Sequence, residues 1–230
     1  MAARDGQAGD YPRTVTIVQA LLSFALVAGL LTIIPGLDTA LVLRGAITRT
    51  RGYAFATALG VCTGALLWGI AAAVGASALL AASDVAYRVL TLAGAGYMVW
   101  LGASMVWKSF RRRESHELPA AMGSGAETWL RGWLLGWLLG VGTNLLNPKV
   151  GVFYIATIPL FIPSGTSPLL MGVLLATVHA ALSILWFTAI IIGTGFAGRW
   201  LKNERATRIV DRITGVVLIG FGGKLVLQPR

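Results

Sequence analysis

The stretch that decides the fold is Leu31-Thr32-Ile33-Ile34-Pro35-Gly36-Leu37-Asp38-Thr39-Ala40. An apolar run long enough for a membrane helix carries a helix-breaking Pro-Gly pair and a carboxylate in its middle. In a bilayer both are costly, because freed backbone groups and an ion find no water there. Such features persist where they line a cavity or a pathway. A second break, at Pro148, has the same character, and the two are read together as the working centre of a small membrane transporter.

The composition around this stretch supports a membrane setting. Of 230 residues, 56% are hydrophobic and 12% charged, about half the ~25% charged residues of soluble domains. Six apolar regions are predicted, at 15–47, 53–80, 85–107, 129–162, 168–196 and 209–227. The polar residues 1–14 read as a disordered tail with no cleavable signal peptide. Residues 109–128, with Pro119 and Gly123-Ser124-Gly125, read as a cytoplasmic linker loop. The net charge of +10 would suit nucleic acid, but the basic residues sit in short loops between apolar spans, where membrane topology accounts for them.

Regions one and four are about 33 residues each, roughly 50 Å as straight helices against a ~30 Å hydrocarbon core. Each contains a proline well inside, so each is expected to be two half-helices meeting at a break. Thr32-Ile33-Ile34-Pro35-Gly36 lies against Leu145-Leu146-Asn147-Pro148-Lys149. Both are followed by an apolar run, a turn-rich segment and a Gly/Ala-rich helix expected to end near Trp68 or Trp186. The expected fold is therefore all-α: a polytopic membrane protein of six transmembrane regions. Residues 15–108 and 129–227 form two three-helix repeats with broken helices 1 and 4. Three crossings per repeat make the second copy inverted, a frequent plan for secondary transporters.

Thirteen Lys and Arg residues fall in the loops after regions one, three and five, against five on the other side, with Lys149 left inside the membrane. This bias places both termini outside the cytoplasm. Gly132, Gly136 and Gly140, and likewise Gly60 and Gly64, recur every four residues and read as close-packing faces. Trp100, Trp107, Trp129, Trp133 and Trp200 fall near span ends and read as an interfacial belt. The single cysteine, Cys62, lies within a span and reads as a small packing residue, which excludes an internal disulfide.

Asp38 is the first candidate for function: it could hold a substrate ammonium group, or bind and release a proton. The structural alternative is that it caps the half-helix beginning after Pro35-Gly36. Asn144, Asn147, Pro148 and Lys149 form the second cluster. Asn-Pro is a good helix start, and Lys149 could pair with Asp38 or attract a substrate carboxylate beside a half-helix N-terminus. Two such N-termini with one acid and one base suit a zwitterionic amino acid. His179, within region five, is a second candidate for proton coupling. His116 falls in the polar loop, and Tyr154 and Thr143 could line the cavity. No phosphate loop, His-Glu-x-x-His zinc motif or Gly-x-Ser-x-Gly elbow is present, so no catalytic residues, metal site or cofactor are expected.

Two segments carry a family resemblance. Residues from Thr32-Ile33-Ile34-Pro35-Gly36-Leu37-Asp38 to Leu43 resemble the Thr-Pro-Gly-Pro-Asn/Asp segment of the LysE/RhtB family of amino-acid exporters, the LysE-type translocators. Asn144-Leu145-Leu146-Asn147-Pro148-Lys149 and the residues to Tyr154 are similar to its Asn-Leu-Leu-Asn-Pro-Lys segment. Ala93-Gly94-Ala95-Gly96-Tyr97 and the residues to Gly102 resemble its third helix. The resemblance runs from about Ile17 to Val226. It implies export of amino acids or related small metabolites, driven by the proton-motive force, across a bacterial inner membrane. It maps the family's motif residues to Pro35, Gly36, Asp38, Asn144, Asn147, Pro148 and Lys149. Leu37 stands where the family usually has a second proline, and Pro159-Leu160-Phe161 replaces a common Pro-Gln-Phe. The expected partners are an amino-acid substrate, protons and the lipid bilayer, with no nucleic acid and with a homodimer allowed. Two other readings compete: transport of a metal cation or other solute on the same scaffold, and a membrane-embedded enzyme or assembly factor. A lone carboxylate argues against a hard-cation site, which wants several oxygen ligands.

Overall fold

The computed structural model describes residues 16–110, 129–196 and 203–227. The predicted tail at 1–14, most of the linker (with His116) and Trp200 lie outside the described residues. The described chain is helical, with no strand among its residues. Its helices are α1 (Ile17–Ile33), α2 (Leu37–Thr48), α3 (Arg51–Ala82), α4 (Asp84–Lys108), α5 (Trp129–Leu145), α6 (Pro148–Thr157), α7 (Pro168–Ile192) and α8 (Glu204–Leu227). A short 3₁₀ turn, Ile158–Phe161, follows α6.

Local chemistry places most of the helix starts. Thr16 and Gln19 form a reciprocal capping box at α1. Thr50, Ser83 and Ser167 accept from the third residue onward at the starts of α3, α4 and α7. Each satisfies an N–H that the helix itself leaves unbonded. The expected ends near Trp68 and Trp186 are corrected: α3 continues to Ala82 and α7 to Ile192. Neither tryptophan sits at a helix-breaking signal, and both runs stay apolar beyond it.

Among the described residues, three helices, within α3, α4 and α7, are long and apolar enough to cross a membrane. Helices α1 and α2 meet that measure as a pair, bent by 55° at the Pro35-Gly36 break. Helices α5 and α6, of 17 and 10 residues, flank the second break. The outer surface is rich in large apolar groups, among them Leu22, Val89, Leu185 and Val216, as a lipid-facing surface would be. Trp100, Trp107 and Trp129 are also outward and exposed.

Helix α3 packs along α5 and α7, α4 along α8, and α1 along α7. The α3–α5 contact is as close as the glycine spacing predicts. A Cβ on Gly136 would lie 2.8 Å from the Tyr53 carbonyl, and one on Gly60 or Gly140 would run into the backbone of the facing helix. Among the described residues, two apolar clusters fill the interior, one around Phe24, Phe153 and Met171 and one around Val42, Phe187 and Ile191. Leu160 is buried in the first cluster, so the position where the family has glutamine belongs to the core and not to the cavity. Cys62 is buried, and its thiol lies 3.6 Å from the Ala180 carbonyl, as the packing reading expects.

Candidate functional site

The two breaks meet. A cavity of about 50 Å³ is lined by Gly36, Asp38 and Thr39 from the first break and by Asn144, Asn147 and Lys149 from the second. Leu31, Thr32 and Ile34 close it from α1, Val61 and Ala65 from α3, and His179, Ser183 and Phe187 from α7. It lies where the two apolar clusters adjoin. Pro35 shapes the break without lining the cavity, and Pro148 is the first residue of α6.

The two half-helices start differently. Asn147 is the N-cap of α6 and accepts from the Lys149 backbone N–H at 3.1 Å. Its capping alternative is therefore realised. Gly36 is the N-cap of α2 and has no side chain to cap with. Asp38 does not fill that role either. It accepts a hydrogen bond from Asn144 Nδ2 at 2.9 Å, across the cavity from the end of α5. The Asn147 side chain and the Lys149 charge also act on this carboxylate. The second carboxylate oxygen, Oδ1, and the Asn144 Oδ1 atom are both buried with no hydrogen-bond partner. Buried acceptors of this kind are rare and call for a donor.

Counted from the caps, Asp38 and Lys149 hold the same position, the second residue of each half-helix. With the caps aligned, Pro35 and Pro148 fall two residues out of step. Pro35 precedes its N-cap, whereas Pro148 follows its own. An acid near a helix N-terminus is favoured by the helix dipole and a cation is disfavoured, by about 0.3–1 kcal/mol each. Lys149 thus sits where local helix energetics oppose it.

Beside this pair runs a second polar line. The Tyr154 hydroxyl lies 2.8 Å from His179 Nδ1, and His179 Nε2 lies 3.1 Å from Thr32 Oγ1. Thr32 in turn donates to the Ala28 carbonyl at 2.8 Å. With its proton committed there, Thr32 accepts from Nε2–H, and Nδ1 is left to accept from Tyr154. One neutral tautomer satisfies the whole chain. Phe24, Phe153 and Tyr154 surround the imidazole. His179 therefore ties the end of α1 to α6.

Of the residues singled out from the sequence, Gly36, Asp38, Asn144, Asn147, Lys149 and His179 line this cavity, whereas Pro35, Thr143 and Tyr154 are not among its lining residues. Sequence reasoning did not single out Thr39, Ser183, Val61, Ala65 or Phe187. Ser183 was within reach, because it follows His179 by four residues and shares its face of α7. Gly64 belongs to the site as well as to the packing. A Cβ there would lie 2.8 Å from Asn144 Oδ1, so the glycine leaves room for the amide that holds Asp38. Among the described residues, no three His, Cys, Asp or Glu side chains come together as a metal site would need.

Comparison with known proteins agrees with this arrangement. The LysE type translocator family matches residues 29–229. The uncharacterized membrane protein YrhP of Bacillus subtilis (strain 168) is 29% identical, over 92% of this chain and 100% of its own length. A leucine efflux protein of Enterobacter sp. (strain 638) is 27% identical, over 85% of this chain and 89% of its own. A threonine efflux protein of Escherichia coli (strain K12) is 24% identical, over 92% and 100%. No solved structure matches the chain significantly. With both breaks inside the matched span, the chain is a transporter rather than an enzyme and belongs to the LysE type translocator family.

Proposed function

We propose that this protein exports amino acids or related small zwitterionic metabolites across the bacterial inner membrane, by antiport driven by the proton-motive force. The observation that carries this reading is the meeting of the two breaks. One half-helix start supplies Asp38 and the other Lys149, and the buried acceptors Asp38 Oδ1 and Asn144 Oδ1 have no donor. A primary ammonium brings three N–H groups and a positive charge to them. Lys149 and the amide dipoles at the start of α6 receive the substrate carboxylate. The binding set is Pro35, Gly36, Asp38, Asn144, Asn147, Pro148 and Lys149, with the prolines and Gly36 acting through the shape of the breaks. Relatives named as leucine and threonine efflux proteins support the same substrate class.

The cavity of about 50 Å³ holds a few waters but falls well short of the ~300–1,000 Å³ of ligand pockets. The arrangement is a closed one, and loading substrate requires the half-helices to part. Six crossings in two inverted units, α1–α4 and α5–α8, provide for this. The pairings α3–α5 and α1–α7 exchange under such symmetry, while α3–α7 and α4–α8 map onto themselves. Both termini lie outside the cytoplasm, and a homodimer is compatible with the outer surface. Asp38 is the first candidate to carry the coupled proton. His179, held at both nitrogens, is the second.

Purified protein in liposomes tests this. Labelled leucine is expected to move against an imposed pH gradient and to stop when a protonophore collapses it. Leucine flux that ignores the gradient would remove the antiport, and no flux of any amino acid would remove the exporter reading.

A further inference from the structure

We infer that the cavity selects amino acids whose side chain is uncharged and aliphatic, and that Val61, Ala65 and Phe187 form the pocket for that side chain. This rests on the exporter reading above. Among the described residues that line the cavity, Asp38 and Lys149 are the only Asp, Glu, Lys or Arg side chains, and the α-ammonium and α-carboxylate engage both. A basic side chain would then enter the membrane interior with no second carboxylate, and an acidic one with no second cation. An unpaired buried charge costs several kcal/mol, enough for discrimination of roughly 100-fold or more.

Part of the remaining wall is apolar, with Leu31, Ile34 and Val150 beside Val61, Ala65 and Phe187. Val61 and Ala65 stand one helical turn apart on α3, and Phe187 faces the cavity from α7. All three are at least 95% buried. His179 adds no selectivity for charge, because Tyr154 and Thr32 occupy both its nitrogens. Ser183 and Thr39 are the neutral polar groups left, and they suit a small hydroxyl better than an ion. Ala65 limits size: each methylene added at that position takes space from the substrate side chain.

The test is counterflow in liposomes with labelled leucine, valine, alanine, arginine and glutamate. Leucine and valine are expected to exchange at least 100-fold faster than arginine or glutamate. Ala65→Leu is expected to slow leucine at least tenfold more than alanine, with the variant's elution and melting unchanged. Arginine or glutamate moving as fast as leucine would overturn the inference and leave the exporter reading standing. No exchange of any of the five would overturn both. Should Ala65→Leu prove unstable, Val61→Asp is the second variant. It adds a carboxylate to the same pocket and is expected to raise arginine exchange relative to leucine, and an unchanged ratio would overturn the assignment of the pocket.

Discussion

The first break begins its half-helix on a bare glycine, whereas the second begins on an asparagine that caps its own backbone. The second residue is an acid in one and a lysine in the other. At α2 the helix dipole favours the charge and the cap is missing, and at α6 the cap is present and the dipole opposes the charge. The two starts thus offset each other's local defects differently, and the result is a pair of opposite charges at one cavity. A half-helix optimised for its own stability would carry Asn at the cap and Asp behind it. Neither break does, which marks both as placed for the cavity they share.

Removing the charges tests this contrast most severely. Asp38→Asn keeps the shape and the bond to Asn144 within reach but loses the charge. It is expected to cut transport in liposomes by roughly 10- to 100-fold, the worth of a hydrogen bond to an ionised group. Lys149→Gln is expected to do the same and to lower the melting temperature, because it takes away the opposite charge that acts on the buried Asp38 carboxylate. If it lowers stability and spares transport, Lys149 is structural.

Packing gives the next largest effect. Gly60→Ala drives a Cβ into the Trp137 backbone and is expected to cost about 1–3 kcal/mol in denaturation of the purified protein. Gly64→Ala meets Asn144 instead. It is expected to reduce transport by more than its effect on stability would suggest, because it displaces the amide that holds Asp38.

The caps give the smallest effects and bear most directly on the asymmetry. Asn147→Ala is expected to lower stability by about 1 kcal/mol. Gly36→Ser should raise it by roughly a few tenths of a kcal/mol, since the nearest atom to a Cβ there is 4.0 Å away. A large loss on Gly36→Ser would mean that the bare start of α2 is itself needed. Leu37, at the first position of α2, is exposed. The family's usual second proline would fall there, as Pro148 does in α6, so its loss leaves the first break less rigid without altering the cavity wall.

Much of the fold was legible because its signals are local. Ser, Thr and Asn caps, the Pro-Gly pair and glycines four apart act within a turn or two of themselves, and they place helix ends and close-packing faces. The ends expected near Trp68 and Trp186 failed because an aromatic inside an apolar run does not stop a helix. Pro35 and Pro148, matched on the sequence, fall two residues out of step once the caps are aligned, because proline is tolerated both before a cap and just after it. Val61, Ala65 and Phe187 carried no signal of their own, since small and apolar residues are common on every face of a membrane helix.

The sequence by itself determined that the chain is helical and apolar, that two of its regions are broken, and which charges stand behind the breaks. These follow from composition and from interactions that span a few residues. Only the tertiary structure decided that the breaks share a cavity. Asp38 and Asn144 are 106 residues apart in the chain, and Thr32 and His179 are 147 apart. No local preference encodes such distances. They follow from the glycine-lined packing of α5 and α7 against α3, which sets the height at which the second break faces the first.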